Sequence, residues 1–241
     1  MHQLDILKNN FNSIEKKIGY FFKNKDILLQ SFVHKSFVNE YRELVENDNE
    51  RLEYLGDSVL GLIVSWFLYE KLPLEPEGKL SQLRSLIVDA TSCFGYIKKL
   101  ELDEHVLLGR GEIQNQGKGR ENILADVFEA LIGAIFIDGD FDTAKEFFLN
   151  NFSEDIEHVI QTPSINDKAI LQDYYQKTFQ KIPRYEVLKE EGPEHNKKFY
   201  VAVYIDEDML AEGEGLSKKQ AQQDAASNAL KKLNIDNKNS C

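Results

Sequence analysis

The chain has only two cysteines, one tryptophan and five prolines in 241 residues. Cys93 falls in an apolar helical pattern and Cys241 is the last residue, so the pair cannot build a disulfide framework. A reducing, cytoplasmic setting is expected. No Cys/His grouping has zinc-finger spacing, which excludes small metal-stapled domains of that kind. Long apolar runs are missing too. The longest, Val59 to Tyr69, is too short to span a bilayer and lacks an anchor's flanks, so no membrane partner is expected. Met1-His2-Gln3-Leu4-Asp5 has no basic segment leading into an apolar one, so no signal peptide is expected. Basic charge is scarce: the formal net charge is -12. Taken alone, that argues against nucleic acid, because most binders carry a basic patch.

The charge is unevenly spread. Before Ile165 there are 28 acids against 17 bases; from Ile165 onward there are 13 against 12, with the lysines clustered. Net charge governs solubility and steering, whereas local clusters decide binding. With 42% hydrophobic and 29% charged residues the chain reads as soluble and globular, and it is long enough for one large domain or two smaller ones.

Up to about Ile160 the pattern is helical. Leu52, Leu55, Val59, Leu62 and Trp66 recur at spacings of three and four. Leu72-Pro73, Glu77-Gly78, Gly109-Arg110-Gly111, Gly117-Lys118-Gly119 and Asp138-Gly139 punctuate it as breakers. Thr162 to Asn166 reads as a linker. A helix is expected from Asp167 to Thr178, then strands at 185–189, 198–205 and 210–214, with Phe199, Val201, Val203 and Ile205 on one face. Ser217 is a good N-cap for a last helix striped with Ala221, Ala225 and Ala229. The expected architecture is an all-α domain over 1–161, a linker at 162–166, an α-β-β-β-α unit over 167–235 and a tail at 236–241.

Glu50, Glu53 and Asp57 stand at i, i+3 and i+7, on one side of a helix at roughly 100° per residue. A solvated face would explain the trio. The same face, however, continues through Leu60, Gly61 and Val64, so the helix is expected to become buried all round where the carboxylates end. Acids there are costly unless paired or on a metal. The segment 123–137 is apolar on every side except at Asp126 and Glu129, and Ala130 and Gly133 leave room for another helix. Acids meeting across two such helices repel one another, and hard divalent cations stabilise the cluster. That arrangement suits phosphodiester hydrolysis.

Glu50-Arg51-Leu52-Glu53-Tyr54-Leu55-Gly56-Asp57-Ser58 resembles the signature of the ribonuclease III family over its full length. Asn122 to Ala134 resembles the family's second acidic motif, and Glu77-Gly78-Lys79-Leu80-Ser81-Gln82-Leu83-Arg84 a third block. The resemblance implies that Glu53, Asp57, Asp126 and Glu129 bind the catalytic metal, Mg²⁺ with Mn²⁺ as a substitute. Asp57 and Glu129 are the leading catalytic residues. It implies that Glu50 and Glu77 help hold a second metal, waters or the RNA end; an ordinary helix-face salt bridge and a turn acid are their plain alternatives. Tyr54 matches the position that packs across the family's dimer interface, with core packing as the alternative. His34, in another common block, reads as a hydrogen-bonded structural histidine. Lys118 and Arg120 lie in a glycine-rich loop without P-loop spacing, which reads as a connector.

The second unit resembles a double-stranded RNA-binding domain. The similar segments are Leu171 to Gln176, Gly192 to Phe199 and Gly213 to Ala221. Lys218 and Lys219 fall in the first turn of a helix, where ammonium groups and free backbone N–H groups address phosphates together. Gln172 and Gln176, one turn apart, suit 2′-OH groups and base edges in a shallow A-form groove, and His195 is expected to reach an adjacent groove. Gln222 and Asp173 depart from the family, which usually has Glu at both places. The acidic run Asp206-Glu207-Asp208 is expected on a turn.

The family resemblance implies a homodimeric endoribonuclease acting on double-stranded RNA, leaving 5′-phosphate and 3′-hydroxyl ends and processing ribosomal RNA precursors and other structured RNAs. A non-catalytic duplex binder would need one of the four acids to be lost, and all are present. A nucleotide phosphohydrolase would leave the appended RNA-binding unit without a use.

Overall fold

The computed structural model describes residues 3–114, 119–161, 167–192 and 197–233. The chain divides into two compact units, Met1–Pro163 and Ser164–Cys241. Lys118 and His195 lie outside the described residues.

Unit 1 is helical: α1 (Gln3–Asn9), α2 (Phe11–Ile18), α3 (Lys25–Ser31), α4 (Lys35–Glu40), α5 (Glu50–Lys71), α6 (Glu77–Ile87), α7 (Ala90–Lys99), α8 (Arg110–Gln114), α9 (Arg120–Asp138) and α10 (Phe141–Gln161). The central member is α9, which buries Leu124, Ala125, Val127 and Phe128 and then every residue from Ala130 to Ile135. Helices α5 and α7 pack on it, and Phe148 and Phe152 of α10 add rings to the core against Phe128. Helix ends follow local chemistry. Asp89 caps α7 by accepting from the Ser92 amide at 2.8 Å, and Gly19 ends α2 at φ 75°. Glu77-Gly78, expected as a breaker, instead forms the first turn of α6, where Pro76 precedes the helix.

One expectation for α5 is corrected. Its buried face is Leu52, Gly56, Val59, Leu60, Ile63, Val64 and Leu68. Leu62 and Trp66, placed in the core stripe by spacing, are half exposed, and the helix is not buried all round beyond Asp57. The cause is that α5 is apolar on two faces. Either satisfies a three-four spacing, and only one meets α9. By length and composition α5 could cross a membrane, but its first two turns carry Glu50, Glu53 and Asp57 and its other face lies on α9.

Unit 2 runs α11 (Asp167–Phe179), β1 (Arg184–Glu191), β2 (Lys198–Ile205), β3 (Asp208–Gly215) and α12 (Lys218–Lys232). The antiparallel sheet has the order β1-β2-β3, with irregularities at Val187/Lys189 and Val203/Tyr204. Leu171, Tyr175, Val203, Ile205, Ala225, Ala226, Ala229 and Leu230 form its core. Ser217 caps α12, its hydroxyl accepting from the Gln220 amide at 3.2 Å. Glycines set the helix–sheet distance: a Cβ on Gly213 would lie 2.0 Å from the Ala225 nitrogen, and one on Gly215 2.6 Å from that of Ala221. The alanine stripe is the other half of this contact. Asp206 and Glu207 form the exposed β2–β3 turn, with Lys181 paired to Asp206.

Candidate functional site

Two glycines bring α5 and α9 into backbone contact. A Cβ on Gly56 would lie 1.8 Å from the Glu129 carbonyl oxygen, and one on Gly133 would lie 2.3 Å from that of Leu52. This approach carries the first turn of α5 against the middle of α9. Oxygens of Glu53, Asp126 and Glu129 consequently lie within 4.8 Å of one another. The three residues are half-buried, and none has an ion-pair partner among the described residues.

Electrostatics follow from that geometry. Burial, with the charges of Asp57, Asp126 and Glu53 added, pushes Glu129 up to about 7. Burial and the neighbouring Asp126 and Glu50 raise Glu53. Burial also raises Asp126, against the pull of His34 and Lys35. Clustered carboxylates held by rigid helices, without an internal cation, form an all-oxygen donor set that fits a hard divalent ion.

The remaining expected residues fall around this trio. Asp57 is exposed, one turn along α5 from Glu53 and outside the tight set, yet its charge reaches Glu129. Glu50 opens α5 and is held by Lys35, Nζ to Oε1 at 2.7 Å, as its salt-bridge alternative allows. Glu77 opens α6 and accepts from the Ser81 hydroxyl at 2.8 Å; the two form a local turn of helix. Tyr54 is 80% exposed, which rules out core packing within the chain. Together with Leu62 and Tyr69 it gives the outer side of α5 an apolar surface. His34 caps α4: its Nδ1 lies 2.7 Å from the Ser36 hydroxyl and accepts from the Ser36 amide at 3.3 Å, and burial lowers its pKa. It is structural, as expected. Arg120 begins α9, and its guanidinium donates to the Asp103 carbonyl at 3.5 Å.

In unit 2, Gln172 and Gln176 are exposed on α11, and Lys218 and Lys219 are exposed in the first turn of α12. Lys218 is engaged with Glu190 of β1 at 3.1 Å. Lys219 has no ion-pair partner among the described residues. The two family departures are accommodated. Gln222 accepts from Lys168 Nζ at 2.8 Å, and Asp173 pairs with Lys177 at 2.9 Å on the next turn.

Three neighbours were missed from sequence. Cys93, fully buried on α7, lies with Sγ 3.9 Å from Glu129 Oε1 and backs that carboxylate. Lys35 restrains Glu50, and Glu190 reaches Lys197 and Lys218. The partners are separated by 15 to 36 residues, so only chain folding joins them and no local spacing signals them.

Comparison with known proteins agrees with this geometry. Residues 24–156 match the family model described as Ribonuclease-III-like, and residues 168–233 match the double-stranded RNA binding motif. Ribonuclease 3 of Protochlamydia amoebophila is 53% identical over 223 residues, 92% of either chain. Ribonuclease 3 of Leptospira interrogans is 44% identical over 218 residues, 90% of this chain and 88% of its own. A solved nuclease domain of ribonuclease III from Campylobacter jejuni is 36% identical with a TM-score of 0.55, covering 65% of this chain and 98% of its own. A second structure of that domain, which is described as structurally flexible in a region involved in dimer formation, is 37% identical with a TM-score of 0.54, covering 58% of this chain and 94% of its own. Identity at this level over nearly the whole length, with both domains in order, leaves one reading: the chain belongs to the ribonuclease III family, the endoribonucleases of double-stranded RNA.

Proposed function

We propose that the chain cuts double-stranded RNA at the α5–α9 cluster with Mg²⁺, Mn²⁺ serving as a substitute. The observation that carries this is the cluster of Glu53, Asp126 and Glu129, whose oxygens approach within 4.8 Å without an internal cation. A hard divalent ion held there supplies Lewis acidity toward the phosphodiester and its attacking water. The chain's own part is to fix the donors. The Gly56–Gly133 contact holds the helices rigidly, and Cys93 of α7 backs Glu129. Asp57, on the solvent side, completes the donor set with the trio. Glu50, tethered by Lys35, and Glu77 serve a second ion, waters or the RNA end.

The nuclease domain is assigned to 1–161, the tether to 162–166, the RNA-binding domain to 167–235 and a tail to 236–241. In the RNA-binding domain, Lys218 and Lys219 take phosphates at the α12 N-terminus, while Gln172, Gln176 and His195 address the minor groove. The apolar outer side of α5, with Tyr54 at its start, pairs two copies into a homodimer, so that each site cuts one strand and leaves 5′-phosphate and 3′-hydroxyl ends. Ribosomal RNA precursors and other structured RNAs in the cytoplasm are the assigned substrates.

The test is incubation of labelled RNA duplex, single-stranded RNA and DNA duplex with the protein and Mg²⁺. Cutting of the RNA duplex alone, with end-labelled products carrying 5′-phosphate, is expected. Binding without cutting would leave only a duplex binder, and release of mononucleotides would overturn the endonuclease assignment.

A further inference from the structure

The RNA-facing end of unit 2 contains an acid that the assigned function does not use. Glu190, near the end of β1, holds two lysines at once. Lys197 Nζ lies 2.6 Å from Oε2 and Lys218 Nζ lies 3.1 Å from Oε1. Phe199, which pairs with Glu190 across the β1–β2 ladder, carries both ammonium groups over its ring, at 6.0 Å for Lys197 and 5.7 Å for Lys218. One carboxylate and one ring thus gather cations from two separate places, the residue just before β2 and the first turn of α12. Exposed ion pairs of this kind contribute little to folding. A carboxylate beside an incoming phosphate, on the other hand, repels it.

We propose that Glu190 is a built-in competitor for phosphate: in the free protein it occupies Lys197 and Lys218, and an RNA backbone must displace it to bind. The proposal rests on the assignment of Lys218 and Lys219 as phosphate contacts. The cost of displacement falls on every polyanion. A duplex that also engages α11 recovers it through those contacts, whereas a strand that touches the lysines alone does not. Glu190 therefore lowers affinity for duplex RNA and other polyanions alike, so that a strand held by these lysines alone falls below useful affinity while a duplex that also engages α11 stays bound. It also lowers salt dependence. Lysines already neutralised by a carboxylate release fewer counterions from the nucleic acid on binding, and each phosphate contact contributes ~0.9 to the logarithmic salt slope. Hydrogen bonds from Lys197 and then Lys218 lower the Glu190 pKa, consistent with a charged competitor at neutral pH.

The experiment is fluorescence anisotropy with the full chain and no divalent ion, so that nothing is cut, using a labelled RNA duplex and a labelled single-stranded DNA across a salt series. Glu190→Gln is expected to bind the duplex roughly three- to tenfold tighter at low salt, with a slope steeper by up to ~1.8, ~0.9 for each of the two lysines it frees. It is expected to gain at least as much on single-stranded DNA. Adding Lys197→Ala and Lys218→Ala to Glu190→Gln should remove most of that gain, because the acid acts through those two lysines. Unchanged or weaker duplex binding by Glu190→Gln, with thermal unfolding like the wild type, overturns the proposal; weaker binding would mean that Glu190 positions the lysines for RNA. The underlying assignment fails separately, if Lys218→Ala with Lys219→Ala leaves duplex binding untouched.

Discussion

In the nuclease unit a Cβ on Gly56 would lie 1.8 Å from the carbonyl oxygen of Glu129, and in the RNA-binding unit one on Gly213 would lie 2.0 Å from the nitrogen of Ala225. Both units thus use glycine to bring backbones into contact, in one case helix on helix and in the other strand on helix. The charges set on the two contacts are opposite. In the first, the contact forces Glu53, Asp126 and Glu129 together and leaves repulsion that a proton on Glu129 or a bound cation relieves. In the second, it seats α12 so that Lys218 and Lys219 project from an N-terminus already favourable to anions. An acidic chain can therefore bind a polyanion, because its acids are concentrated in the unit that needs metal. The near-balance of 13 acids and 12 bases from Ile165 onward is enough for a local positive surface.

Breaking the first contact chemically should have the largest effect. Glu129→Gln and Asp57→Asn are each expected to lower cleavage by about three orders of magnitude, since several kcal/mol of transition-state stabilisation depends on the ion. Duplex binding, measured without divalent ions, should stay within about twofold, because the phosphate contacts lie in the other unit. Either variant retaining most of its Mg²⁺-dependent cutting would dissolve the assigned site.

Breaking the contacts sterically tests whether the units are independent. Gly133→Ala is expected to destabilise the nuclease unit by about 1–3 kcal/mol or more, and Gly213→Ala the RNA-binding unit by a similar amount, because a methyl meets backbone in both. Trp66, the single tryptophan, reports the nuclease unit alone, so its fluorescence transition should move for Gly133→Ala and stay for Gly213→Ala. Gly78, with open space around its missing Cβ in the first turn of α6, provides the contrast: Gly78→Ala should be neutral or stabilising by about 0.5–1 kcal/mol. Coincident shifts for both core glycines would show that the units fold as one.

The outer side of α5 gives a third point of comparison, since it is apolar and faces away from the core of its own unit. Tyr54→Asp is expected to weaken self-association by roughly tenfold or more, as for a central aromatic anchor. Sedimentation at micromolar concentration would show it, and a monomeric wild type would remove the basis for two-strand cutting.

A fourth expectation concerns pH. Glu129 is raised from its ordinary 4.5 to about 7, mainly by burial. In the metal-free protein its contribution to stability is full below the unfolded value and is lost as pH rises through about 7. The metal-free nuclease unit should therefore melt at lower temperature as pH rises across that window, and a divalent ion should reverse the trend. Cation capture below about pH 7 must expel the proton, so apparent affinity should climb with pH and then level off. Calorimetric titration in two buffers of different ionisation enthalpy measures the released proton. A cation affinity flat across the window would contradict the Glu129 environment described here.

The sequence made some of this legible and hid the rest for physical reasons. The acid spacing on α5 and α9 was readable because helix geometry fixes which side i, i+3 and i+7 share. The alanine stripe of α12 and the Ser217 cap were readable on the same local grounds. The orientation of α5 was not, since Leu62 and Trp66 fit a core stripe as well as Val59 does, and periodicity cannot say which apolar face meets α9. Burial of acids was overstated: Asp57 is exposed and the trio half-buried, because the cluster lies at the edge of the helix crossing. Pairings such as Glu190 with Lys218 were invisible, being made between a strand and a helix that local pattern does not connect.

The smallest expected effect separates the two lysines of α12. Lys218→Ala with Lys219→Ala should weaken duplex binding and flatten its salt dependence, since phosphate contacts and their released counterions are lost. The two should not contribute equally. Lys219 has no ion-pair partner among the described residues, so its removal should cost the full ~0.9 in logarithmic slope. Lys218 already faces Glu190, and part of its charge is neutralised before RNA arrives. Lys218→Ala should therefore flatten the slope by less, and the difference should disappear in a Glu190→Gln background. The rate at saturating RNA should hardly change in either variant, because the carboxylate cluster is built entirely from residues of the nuclease unit. Salt titrations of both single variants, with and without Glu190→Gln, read this directly. Equal losses in both backgrounds would show two independent phosphate contacts, and no loss in any would show that the lysines are only a solvated helix end.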